Sequence, residues 1–494
     1  AERLPEGAGR HSAVLAGGEV LAPGEIRLGP GERYSTPDVV FTYAGDGLDG
    51  VSRRLHASQR AGRALGLAQA GRPARPRPLV LNTWEAVYFD HDLGRLRELA
   101  DTAAAIGVER FVLDDGWFGG RRNDRAGLGD WVVSAQAWPQ GLDALVEHVK
   151  GLGMEFGLWF EPEMVNADSD LVRAHPDWVL GPVAGHPREW RHQQVLDLAN
   201  PDAAEYLVER ISALVDEYAI DFIKWDHNRD LMESVHTTSE LVDAPATHAQ
   251  TTALYAVLDR LREAHPALEI ESCASGGARV DLGILARTDR IWTSDCNDAL
   301  ERAQIQRWTS LLVPGELMGS HVGPPTAHTT HRMLDLSFRL LMALQGHAGL
   351  EWDITSCSPD ERSALAAWSG LYRELRGLLH SGELVRDEAD DGSLLVTGTL
   401  SSSRDEAAYT IARVATSRRA APGFVPLAGL DRSREYALRV RTETGTPHTV
   451  QMQPPSWWDA ALGEGFRASG ALLSGVGLPM PILAPAQGFL LHLT

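Results

Sequence analysis

From Pro78 to about residue 380, short apolar runs alternate with longer stretches of three-four apolar spacing, and nothing else in the chain restricts its fold as much. A strand covered on both faces reads as a brief apolar run, and its covering helix reads as a 3.6-residue period. The alternation therefore specifies parallel βα units. Strands are expected at 79–85, 110–115, 155–161, 221–226, 268–273, 290–295, 316–321 and 347–352. Helices are expected at 93–105, 142–152, 203–218, 251–264 and 331–344, with a last one at 359–379. Eight strands, seven intervening helical segments and a closing helix make an α/β fold of the (β/α)8 TIM-barrel type. An open doubly wound sheet would need a glycine-rich phosphate turn after its first strand, and none follows residue 85.

The flanks read differently. Residues 1–71 carry frequent Gly and Pro, a β-type run at 38–43 and a helical stretch at 50–70, as expected for the end of an N-terminal β-sandwich domain and its connector. Residues 72–380 form the barrel. From 381 to 494 short alternating runs separated by Gly, Pro and Asp turns predict a C-terminal antiparallel β-sandwich.

The expected strand ends are crowded with reactive side chains: Trp84 and Glu85, Asp114 and Asp115, Trp159 and Glu161, Lys224, Asp226 and Asn228, Glu271 and Cys273, Asp295, His321, and Glu351. Barrel enzymes build their sites at these ends. Lys224 stands out because the chain has only two lysines, Lys150 and Lys224, where arginine is the default cation. Two residues before Asp226 on one strand face, it is placed to favour the aspartate's ionised form. Carboxylates interleaved with tryptophans suit a sugar, whose ring faces are apolar and whose hydroxyls donate to carboxylates. Asp226 and Asp295 end strands two apart and face one mouth, a nucleophile and a general acid for glycosidic cleavage. Asp114 and Asp115 are placed for sugar hydroxyls or, equally on their own, for capping a helix.

A net charge of −21 gives no support to nucleic-acid binding, and no apolar run reaches membrane-spanning length. Three cysteines without paired spacing fit a reducing, cytoplasmic setting. The His321, His328 and His331 spacing offers no closed ligand set, so neither a metal nor another cofactor is expected.

Several stretches together resemble glycoside hydrolase family 36, the large bacterial α-galactosidases: Asn82-Thr-Trp-Glu-Ala86, Leu113-Asp-Asp-Gly-Trp-Phe-Gly119, Gly157-Leu-Trp-Phe-Glu-Pro-Glu163, Lys224-Trp-Asp-His-Asn-Arg229, Glu271-Ser-Cys-Ala-Ser-Gly-Gly-Ala-Arg279 and Ser294-Asp-Cys-Asn-Asp298. The resemblance implies a retaining α-galactosidase without cofactor, acting on melibiose- or raffinose-type sugars, with Asp226 as nucleophile and Asp295 as acid/base. It places Asp114, Asp115, Trp159, Arg191, Lys224, Asn228, Cys273 and Gly276 around the galactose. It also implies a homo-oligomer, a tetramer in the family, and a longer N-terminal β-sandwich than residues 1–71 supply. Ala278 departs from the family's third glycine in Gly-Gly-Gly-Arg. An α-N-acetylgalactosaminidase or a galactosyl-transferring relative is the alternative, and an inactive sugar-binding paralogue fits least, because both carboxylates are present.

Overall fold

The computed structural model describes all residues except 1, 4–12, 15–16, 70, 185–186, 238–240, 389–390, 421 and 451–452. Eight parallel strands close into a barrel: β1 Val80–Asn82, β2 Arg110–Leu113, β3 Glu155–Phe160, β4 Phe222–Trp225, β5 Glu269–Ser272, β6 Arg290–Trp292, β7 Met318–Val322 and β8 His347–Leu350. Each pairs with its sequence neighbours, and β8 closes on β1 with Gly349 opposite Val80. All eight expected strands are present, most of them shorter at their ends, while β7 starts two residues later and runs on to Val322. Residues 84–87 form a short helix, Trp84–Val87, rather than the end of β1.

The outer ring contains α2 Leu93–Ile106, α3 Asp143–Gly151, α4 Pro201–Tyr218, α5 Thr247–Ala264, α6 Ala299–Thr309, α7 Leu336–Ala343 and α8 Pro359–Leu379. Between β5 and β6 the expected helical segment is only a four-residue turn, Leu282–Leu285, since the loop after β5 has already used about half of the connection. The helix α6 carries weak apolar patterning and buries Arg302 and Gln306, which is why three-four spacing does not find it. Strong local signals start α8, where Ser358 and Glu361 form a reciprocal capping box ahead of an apolar stripe.

Strand periodicity divides β4 between two environments. Ile223 joins the main core under the helices, while Phe222 joins Val80 and Val112 inside the barrel. The Arg110 and Arg290 guanidiniums lie over the Phe222 ring, 4.4 and 5.5 Å from its centre. Arg110 is held by Glu155 and Glu269, and Arg290 by Glu271. The barrel interior is thus a layer of ion pairs around an aromatic ring, and the next inward residue of β4 is Lys224. Outside the barrel, at the C-terminal end of α3, Lys150 Nζ donates to Ala219 O at 2.6 Å and Asp221 Oδ2 at 3.0 Å, fixing the lower end of β4.

Upstream lies a 22-residue helix, α1 Leu48–Gln69. It is tied to the barrel by Arg60–Glu316 at 2.6 Å and Arg63–Asp289 at 2.6 Å. The run at 38–43 forms no strand and pairs with no described strand, and Val39, Val40, Phe41 and Tyr43 stand exposed. A β-type run alone does not make a strand where no described neighbour offers backbone hydrogen bonds.

The C-terminal region is an antiparallel six-stranded sheet ordered β9-β10-β11-β14-β12-β13. These are β9 Glu383–Glu388, β10 Leu394–Leu400, β11 Ala407–Arg413, β12 Glu435–Arg441, β13 Phe466–Ser469 and β14 Gln487–Leu493. Its second layer is a two-stranded ribbon, Phe424–Val425 with Leu478–Pro479, plus the helix Ser456–Leu462. The other face joins the barrel core through Leu395, Ala408, Ala412 and Leu490. Gln487 also donates to Asp335, the residue before α7, at 2.9 Å. No helix among the described residues is long and apolar enough to cross a membrane.

Candidate active site

A cavity of about 300 Å³ lies at the C-terminal ends of the strands, within the range of small-ligand sites. A larger recess of about 1000 Å³ lies beneath the barrel between α1, residues 71–77 and α8, but its arginines are mostly matched by carboxylates. Size favours the recess and chemistry the cavity, whose wall holds unequally charged acids.

Asp226 follows β4 directly. Its Oδ2 accepts from Trp159 Nε1 at 3.2 Å and its Oδ1 from the His227 amide at 2.8 Å. Burial, the largest single influence, would raise this carboxyl, and it takes the Lys224 charge and several hydrogen bonds together to outweigh it. With hydrogen bonds from Cys273, Asn228 and the His227 amide, that charge holds Asp226 below the ordinary aspartate value. Asp295, three residues beyond β6, accepts from Trp292 Nε1 at 3.1 Å. Burial first, and then the Asp226 charge, push its carboxyl up. Two acids on one cavity wall are thereby driven in opposite directions, one to stay ionised and one to hold a proton.

Lys224 supports Asp226 through space, but its contact is elsewhere. Its Nζ donates to Asp114 Oδ2 at 2.8 Å, beside Asn82 Nδ2 at 2.7 Å. The ammonium crosses the barrel interior to the end of β2, and its affinity for its proton rises well above the usual lysine value. Asp115 is gripped by both Arg121 nitrogens at 2.8–3.1 Å. No helix begins after this pair, so helix capping falls away, and both aspartates line the cavity.

Trp159, Arg191 and Asn228 also line it. The Arg191 guanidinium spans two loops, donating to Asn228 Oδ1 at 3.0 Å and Ser275 Oγ at 3.1 Å. Cys273 and Gly276 stand one layer behind. The Cys273 thiol is buried against Asp226, and burial pushes it well above the ordinary cysteine value. Gly276 has φ +84°, and a Cβ there would lie 2.9 Å from Asp295 N and from Ser294 Cα. With Gly277, whose Cβ would lie 2.5 Å from Thr293 O, it lets the backbone carrying Asp295 come this close. Ala278 is exposed, so its methyl does not tighten the turn.

The described residues contain no cluster of three or more His, Cys, Asp or Glu that could hold a metal. His321 is buried below the cavity between Glu351 and Arg290, whereas His328 reaches the wall and meets Glu85 at 3.2 Å.

The family described as Melibiase matches residues 33–382, more than two thirds of the sequence. The chain belongs to the melibiase family. Among curated proteins it is 41% identical over 476 residues to an alpha-galactosidase of Escherichia coli, covering 95% of this chain and 65% of that one. It is 38% identical over 414 residues to alpha-galactosidase AgaA of Geobacillus stearothermophilus, covering 83% and 56%. The chain therefore spans less than two thirds of the length of these relatives. Its fold superposes on the crystal structure of GH36 AgaA with a TM-score of 0.83 at 34% identity, covering 94% of this chain and 61% of AgaA. A variant of AgaA crystallised with raffinose gives a TM-score of 0.80 at 33% identity, covering 91% and 59%.

In this melibiase barrel several wall residues come from loops that strand-end reasoning does not reach: Phe89, Arg121, Asp124, Gln193, Asn297 and His328. Glu161 and Glu351, noted as strand-end acids but given no role, are fully enclosed. Burial pushes them up to about 8 and about 7, Asp226 adding to the first, so Glu161 keeps a neutral carboxyl beside the ionised Asp226.

Proposed function

We propose that this chain hydrolyses terminal α-galactosides, such as melibiose- or raffinose-type sugars, by double displacement with retention. Asp226 attacks the anomeric carbon while Asp295 protonates the leaving oxygen. A covalent galactosyl–enzyme forms, and Asp295 then takes a proton from water to release it. The observation that carries this reading is the opposite displacement of the two carboxyls on one wall, Asp226 down and Asp295 up. It is supported by the alpha-galactosidase relatives and by the raffinose and stachyose complexes of AgaA variants. Asp114, Asp115, Trp159, Arg191, Lys224 and Asn228 would hold the galactose, with Cys273 and Gly276 backing the wall. Residues 72–380 are taken as the catalytic unit, 1–71 as the end of an N-terminal region with its connector, and 381–494 as a supporting domain. Three free thiols, Cys273, Cys296 and Cys357, suit a cytoplasmic setting, and the exposed Val39–Tyr43 strip suits a homo-oligomer.

The deciding experiment measures p-nitrophenyl α-galactoside hydrolysis beside the α-N-acetylgalactosaminide, in wild type and in Asp226→Gly with and without azide. Turnover that is lost in the variant and returns as a β-galactosyl azide supports the reading. Cleavage of the acetamido sugar alone, or of neither, refutes it.

A further inference from the structure

Beyond the wall itself, a buried asparagine connects two of its parts. The loop after β3 reverses at Trp190–Gln193, where Trp190 N donates to Gln193 O at 3.1 Å and Gln193 N to Trp190 O at 3.0 Å. Its two central residues are left-handed, Arg191 at φ +53° and His192 at φ +60°. This is the geometry of a two-residue hairpin turn for which Asn-Gly is the favoured pair. An Arg-His pair has no such preference, so other contacts must hold the turn that points Arg191 at Asn228 and Ser275.

Asn166 supplies the main one. It is completely buried and does not line the cavity. Its Nδ2 donates to His192 O at 2.7 Å. Its Oδ1 accepts from the Leu128 amide at 2.8 Å and from Arg121 Nη1 at 3.3 Å. The other nitrogens of that same guanidinium grip Asp115. One amide thus ties Asp115, through Arg121, to the strained turn that carries Arg191.

The geometry points to Asn166 as a positioning residue that sets the substrate grip of Arg191 and couples it to Asp115 across the loops after β2 and β3. This deepens the proposed α-galactosidase reading and rests on it. Binding of the sugar is affected, not the chemistry, because Asn166 contacts neither Asp226 nor Asp295.

The test compares wild type, Asn166→Ala and the double variant Asn166→Ala/His192→Gly on p-nitrophenyl α-galactoside. Asn166→Ala is expected to raise KM about tenfold, the scale of one lost hydrogen bond to a strained segment, with kcat nearly unchanged. Glycine at 192 adopts the left-handed turn without help, so the double variant is expected to recover most of the lost KM. A purely structural asparagine would lower Tm, leave KM of the folded enzyme as it was, and give no recovery with His192→Gly. Either of the last two results overturns the inference. Should wild type cleave no α-galactoside, the functional reading falls. The coupling is then judged by hydrogen exchange: unchanged protection of the Trp190 and Gln193 amides in Asn166→Ala would overturn it.

Discussion

Replacing Gly276 by alanine moves the carboxyl that must carry the proton. The new Cβ would meet Asp295 N and Ser294 Cα at 2.9 Å, about half an ångström inside the 3.4 Å at which ordinary contact begins. Both obstacles are backbone, so no side chain can swing aside, and the segment carrying Asp295 has to retreat by about that amount. A misplacement of about 1 Å costs on the order of a hundredfold in rate, so half of it predicts about a tenfold loss of kcat. Folding suffers as well: a left-handed alanine costs about 1–2 kcal/mol and overpacking about 1–3 kcal/mol. The kinetic loss should depend on the leaving group. Melibiose releases glucose through an alkoxide-like oxygen that needs the proton, whereas p-nitrophenolate leaves with little help. Steady-state kinetics on both substrates, with urea unfolding alongside, measures the effect. Wild-type kcat on melibiose, or equal losses on the two substrates, would refute the assignment of Gly276 to placing Asp295.

Two further outcomes follow from the displaced carboxyls. The kcat/KM profile should have its acidic limb below the ordinary aspartate value, where Asp226 takes up a proton, and its alkaline limb above it, where Asp295 loses one. Asp295→Asn should keep the acidic limb and lose the alkaline one on p-nitrophenyl α-galactoside. Glu161 holds its proton up to about 8 when folded, against the ordinary 4.5. Its contribution to stability is therefore complete below about pH 4.5 and is lost as pH rises through about 8, since in that window the unfolded chain has released a proton that the folded one keeps. Glu161→Gln should flatten the fall of Tm between pH 5 and 8 and raise Tm at pH 8, and an unchanged slope would count against a neutral Glu161.

The barrel was legible because each strand is an apolar run covered on both faces, and its reactive residues were legible because they sit immediately after those runs. Asp226 and Asp295 could be paired from strand order alone. The partner of Lys224 could not: reaching Asp114 depends on barrel register, which strand spacing along the chain does not encode. Arg121, Gln193 and Asn297 lie in loops with no period to mark them, and only folding brings them to the wall. Helix α6 escaped notice for a related reason. Its inward face carries Arg302, which binds Cys296 O and Gly319 O rather than packing as an apolar stripe. At 38–43 the composition misled in the other direction, offering a β-type run to which no described neighbour responds.

The scarcity of lysine has a practical side. Lys224 is buried in the cavity wall and paired with Asp114, while about a third of the Lys150 side chain is open to solvent. Amine-directed reagents such as activated esters therefore find one readily reachable lysine side chain among residues 1–494. It stands at the far end of α3, beside the start of β4 and across the barrel from the mouth. Attachment to a support through that amine would give a layer of uniformly oriented molecules with their openings turned toward the solution. Cross-linkers that join two lysines would find the second one of residues 1–494, Lys224, buried and paired with Asp114.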